Sequence, residues 1–140
     1  ILRKTKISEE NESILREGLI MKESITDKQF INSYRSAGLW FVALYMEEFL
    51  LRVDELDDDL LKNKLIEEIY DNGENTFDKE ISGTRTRVNA LYRIIKAGRV
   101  IEALEIAINS KRLKKEFPEA ASQAKDLLDR INTGKFEVQL

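Results

Sequence analysis

The 140-residue sequence contains no cysteine and no histidine. Without cysteine there is no disulfide, no thiolate nucleophile and no sulfur-ligated metal. Without histidine, the commonest general base and the commonest zinc ligand are missing, which excludes most hydrolase triads and zinc sites by inventory. Catalysis would have to draw on Asp, Glu, Lys or Tyr. A single proline and six glycines leave few places where regular structure must stop. Long apolar runs are missing as well. The longest, Leu39 to Met46, spans eight residues, against the roughly 20 that a membrane-spanning helix needs. No secretory signal is visible. The chain opens on Ile1 and not on methionine, as an excised domain or a processed product would.

What is present is helical in character. Apolar residues make up 42% of the chain and charged residues 35%, above the usual quarter for globular chains and typical of helices with solvated, salt-bridged faces. The length suits one domain over residues 1–140, whose folding hides roughly two thirds of the surface of the unfolded chain. The apolar residues are dense and periodic, which argues against disorder.

Six helices are expected. Ser8, followed by Glu9, Glu10 and Glu12, marks the start of a peripheral first helix running to about Lys22, because acids in a first turn meet the positive end of the helix dipole. Thr26 or Asp27 caps a second helical stretch reaching about Val53, with Ser36-Ala37-Gly38 as its kink or break. Beyond that break Leu39 to Met46 is apolar nearly all round, the mark of a central helix. Asp57 is expected to cap the third helix, which carries Leu61, Leu65, Ile66, Ile69 and Tyr70 and stops at Asn72-Gly73. A polar loop over residues 74–81 follows. Ser82 opens the fourth helix and Gly98 closes it. The fifth runs from Arg99 to about Asn109. Pro118 sits in the first turn of the sixth, where proline is tolerated, and that helix stops near Gly134. The only strand signal is in the tail, Phe136-Glu137-Val138. Such a chain reads as an all-α, single-domain bundle or a stack of helical hairpins.

Charge reverses sharply in the middle. Residues 54–80 carry eleven acids against three lysines, whereas residues 83–99 carry Arg85, Arg87, Arg93, Lys96 and Arg99 with no acid. At 100° per residue, Arg85, Arg93, Lys96 and Arg99 fall within about 120° of one another, with Tyr92 on the same side and Val88, Leu91, Ile94 and Ile95 opposite. A cationic face with an aromatic ring set into it is an anion-binding surface, since guanidinium forks pair bidentately with carboxylate or phosphate. Ser82-Gly83-Thr84 adds hydroxyls and backbone amides at the positive end of the helix dipole, although the phosphate-loop pattern G-x-x-x-x-G-K-[ST] is absent. The competing reading is internal: Glu67, Glu68, Asp71, Glu74, Asp78 or Glu80 folding back onto the arginines.

Other features have plainer explanations. The run Asp54 to Asp59 lacks the alternating ligands, glycine and closing glutamate of a calcium loop and reads as a charged turn. Trp40, Phe41 and Tyr45 on so apolar a helix read as core, not as a cofactor pocket. Asn11-Glu12-Ser13 matches a glycosylation sequon by chance. Gly98-Arg99-Val100-Ile101-Glu102-Ala103-Leu104-Glu105 resembles the turn and second helix of a tetratricopeptide repeat. The resemblance extends over residues 84–118, about one repeat, with Leu91 where a small residue is expected and no second copy at a 34-residue period. What it implies is an antiparallel hairpin of the fourth and fifth helices.

The functional expectation is a non-catalytic interaction module, an adaptor, regulatory or assembly subunit. It would bind an acidic protein partner through Arg85, Arg87, Tyr92, Arg93, Lys96 and Arg99. The alternative is a nucleic-acid or phosphate binder using the same helix, which the acidic balance of the chain, pI about 5.2, disfavours. A second copy of the chain is a further admissible partner. No cofactor and no metal is expected.

Overall fold

The computed structural model describes residues 4–5, 25–72, 78–135 and 138–139. The predicted first helix and the sequon at Asn11 lie outside the described residues, as does Gly73. Among the described residues there are eight helices: α1 (Asp27–Ala37), α2 (Leu39–Leu51), α3 (Val53–Leu56), α4 (Asp59–Tyr70), α5 (Ile81–Lys96), α6 (Val100–Ile108), α7 (Lys111–Glu116) and α8 (Pro118–Asn132). Two-residue segments β1 (Lys4–Thr5) and β2 (Val138–Gln139) pair antiparallel, Lys4 opposite Gln139. The architecture is all-α, as the sequence predicts. The helix count differs because the predicted second helix divides and the short helices α3 and α7 lie where no apolar period announces them.

The division between α1 and α2 has a local cause. Thr26 and Gln29 form a reciprocal capping box at the start of α1, which satisfies two orphan backbone donors. The helix ends because Gly38 adopts φ 90° and ψ 142°, a conformation open mainly to glycine. A side chain there would also collide with its surroundings: an ideal Cβ on Gly38 lies 2.6 Å from Arg87 Nη1.

Helix α2 is the centre of the molecule. It packs against α8, α6, α1 and α5, and Phe41, Val42, Met46 and Phe49 on it are fully buried. Phe41 lies 4.7 Å from Tyr45 and 5.8 Å from Phe49 between ring centroids, and half-buried Trp40 reaches Phe117 at 6.3 Å. The aromatic residues of this helix are therefore packing residues, in contacts of the offset and edge-to-face kinds that rings prefer.

Arginines tie the ends of the helices together. Arg52, in the turn after α2, donates to Glu48 on α2 at 2.9 Å, to Glu55 on α3 at 2.8 and 2.9 Å, and to Glu68 on α4 at 3.1 Å. Arg130 on α8 clasps Glu47 on α2 through two bonds of 2.5 and 3.1 Å. The cap of α4 is Asp58, whose side chain accepts from Leu61 N at 3.0 Å, and not Asp57 as expected; Asp57 is drawn away toward Lys96. Ser110 caps α7 through Leu113 N at 3.1 Å, and Pro118 occupies the first position of α8.

The expected hairpin is only slightly formed. Helices α5 and α6 follow one another through Gly98, at φ 72°, but α5 packs mainly against α1 and α4 whereas α6 lies against α8 and α2. The reason is shape. The apolar face of α5 is wide enough to contact two helices, α1 from far back in the chain and α4 just before it, which leaves little of it for α6. No helix among the described residues is long and apolar enough to cross a membrane.

Candidate functional site

The outward face of α5 is set by what the helix buries. Thr84, Val88, Ala90, Leu91, Ile94 and Ile95 point inward, leaving Ser82, Arg85, Thr86 and Arg93 exposed. Helices α1 and α4 flank this face, both antiparallel to α5. Along α1, contacts descend from Asp27 with Arg99 through Ser33 with Arg93 to Ala37 with Arg87. Along α4 they run from Asp57 with Lys96 to Tyr70 with Lys79.

The six residues singled out from the sequence do not share one environment. Arg87 is held inside the fold. Its Nε donates to both carboxylate oxygens of Asp78 at 3.1 Å, and its Nη1 donates to the carbonyl of Ala37 at 2.7 Å. Asp78 also accepts from Thr84 Oγ1 at 3.0 Å, and its side chain is only 7% exposed. Gly83 permits this approach, since a Cβ on it would lie 2.9 Å from Asp78 Oδ1. The anion-attracting start of α5 is thus occupied by the chain's own carboxylate. The helix begins at Ile81 after Glu80 with no side-chain cap, and Ser82 does not open it.

Arg99 is likewise engaged. It bonds Glu102 at 2.5 and 3.1 Å, Asp27 at 2.9 Å and the carbonyl of Thr26 at 3.3 Å, and its guanidinium lies 4.2 Å from the centre of the Phe30 ring. Hydrogen bonding to Glu102, and secondarily to Asp27, raises its pKa further above an already high ordinary value. Lys96 pairs with Asp57 at 3.2 Å, and the Tyr92 hydroxyl donates to the same carboxylate oxygen. The Tyr92 ring is flanked by Lys96 and Lys62, with ammonium groups 5.7 and 5.8 Å from its centroid, the outer range of a cation–π contact.

Arg85 and Arg93 stand apart from the other four. Arg85 makes no hydrogen bond or ion pair with any described residue, and Arg93 makes one neutral contact, donating from Nε to Ser33 Oγ at 3.3 Å. The acidic stretch before α5 therefore folds back only in part. Asp57 and Asp78 meet cations of α5, whereas Glu55 and Glu68 are held by Arg52.

Two contributors go beyond the sequence-predicted set. Lys62 joins the face from α4, and nothing in its sequence neighbourhood signals this. Ser33 comes from α1, where it is 5% exposed among Phe30, Tyr34 and Ala37; a serine in phase with an apolar stripe is a readable signal. Comparisons of this chain with protein-family models, curated proteins and solved structures find no match.

Proposed function

We propose that this chain is a non-catalytic helical interaction module that engages an acidic protein partner through the outward face of α5. The observation that carries this reading is the contrast within the face: Arg87 and Arg99 are neutralised by carboxylates of their own chain, while Arg85 and Arg93 point outward with no ion pair to any described residue. Two outward guanidiniums on the same helix as a Tyr92 ring flanked by Lys62 and Lys96 suit a contact that pairs arginine with carboxylate and covers an aromatic. Surface charge of this kind steers association and selects partners more than it adds affinity. A nucleic-acid ligand fits less well. Binding to a phosphate backbone scales with the number of phosphates neutralised, and this face offers two outward arginines and one lysine, Lys62, without an ion pair to a described residue, few such contacts on a chain of net charge −3.

The test is affinity capture from the native source with the wild type and an Arg85→Glu/Arg93→Glu double variant, beside gel retardation of an oligonucleotide at low salt. The expected result is loss of a specific acidic partner in the variant, at unchanged helicity and unchanged unfolding midpoint, with no retardation. A partner retained by the double variant, or salt-sensitive retardation of the oligonucleotide by the wild type, overturns the reading.

A further inference from the structure

Beside Arg93 the groove between α1 and α5 opens into a notch of about 250 Å³ lined by Ile25, Gln29, Asn32, Ser33, Ser36 and Arg93. Its lining contains one charge, the guanidinium, and no carboxylate. The one acid on α1, Asp27, is turned to Arg99. Every other polar group in the lining is a neutral amide or hydroxyl, and each of these can donate a hydrogen bond.

We infer that this notch is a seat for a single oxyanion, a carboxylate or phosphate group, gripped by Arg93 and the hydroxyl of Ser33. This rests on the reading of the α5 face as the contact surface and names the group that the face receives. Two observations converge on it. Arg93 uses only Nε in a described hydrogen bond, so both terminal nitrogens, the pair that forks around an oxyanion, have no described partner. Ser33 accepts that bond with its oxygen, and its own O–H proton finds no acceptor among the described residues although the residue is 5% exposed. Ser33 lines the notch, so an oxyanion there accepts from its hydroxyl and from the guanidinium together, in place of water. Gln29 and Asn32 line the same notch, and their side-chain amides extend the donor set. Arg85, on the same face, does not line the notch, which makes it a surface charge and Arg93 an anchor.

The experiment titrates the protein with acetate in one arm and inorganic phosphate in the other, at constant ionic strength, and follows the side-chain N–H signals of Arg93, Asn32 and Gln29 by NMR. Saturable shifts at Arg93 and Asn32, with none at Arg85, are expected in at least one arm, and the stronger arm identifies the group. Ser33→Ala should weaken that binding about tenfold, the scale of a hydrogen bond to a charged acceptor. Arg93→Lys, which keeps the charge but loses the fork, should weaken it likewise, and Arg85→Ala should leave it unchanged. An unaltered backbone spectrum in each variant excludes unfolding as the cause. Shifts that fail to saturate, that are equal at Arg85 and Arg93, or that survive Ser33→Ala overturn the seat. A failed titration with partner capture still dependent on Arg93 removes the seat and leaves the proposed function standing. Saturable binding in the notch with capture indifferent to Arg93 does the reverse.

Discussion

Gly38 shows how much one residue decides here. Its backbone sits at φ 90°, and the site where a Cβ would be is taken by Arg87 Nη1. That guanidinium is not free to move aside, because it bonds the Ala37 carbonyl and Asp78 at once. Gly38→Ala therefore meets backbone strain and a held neighbour together, and should cost about 1–3 kcal/mol, read as a lower urea midpoint at unchanged helicity. An unchanged midpoint would mean that Arg87 can leave its clasp at no cost. The glycine is visible in the sequence as a break. Its second duty depends on an arginine nearly fifty positions later, which no local pattern reveals.

At the scale of the element, apolar periods locate the helices well and their ends less well. The run Asp57-Asp58-Asp59 offers three adjacent capping candidates of the same chemistry, and spacing alone does not choose among them. The fold chooses Asp58, because Asp57 is turned to Lys96 and Tyr92. Asp58→Ala should accordingly destabilise the protein by about 1 kcal/mol, the usual worth of a cap, whereas Asp57→Ala, which removes a half-exposed surface pair, should cost well under that. Thermal denaturation of the two variants side by side checks the assignment; equal losses would contradict it. Helix α7 makes the same point from the other direction. Its Ser110 cap is a readable signal, but six residues with one buried leucine are too short for a period to register.

For the whole molecule, the charged residues act as fasteners between helices, and this gives stability a dependence on acid. Glu55 is held below its ordinary value of 4.5, first by the hydrogen bond from Arg52 and then by that arginine's charge, against a desolvation that raises it. A carboxyl whose pKa is lower in the folded than in the unfolded chain adds stability that is fully present above the unfolded value and is lost as pH falls through the folded one. The α2–α3–α4 corner should therefore weaken below about pH 4.5, and Arg52→Gln should flatten that part of the stability curve as measured by urea denaturation at stepped pH. A variant curve parallel to the wild type's across this range would show that the corner does not contribute to acid sensitivity. Exposure of both partners keeps the effect modest.

The sequence by itself determined what depends on neighbours along the chain. It specified the all-α class, the break at Gly38, the turn at Gly98, the proline start of α8 and the central place of the apolar helix, because helical period and backbone preference act over a few residues. Only the tertiary structure decided which cations of α5 and the turn after it remain available. Arg99 meets Asp27 across 72 positions and Arg93 meets Ser33 across 60, so whether a guanidinium finds a carboxylate or a serine is set by which helices lie side by side. Ion pairs are short-range contacts between distant residues, and a helical wheel records the direction of a side chain without recording what stands in front of it.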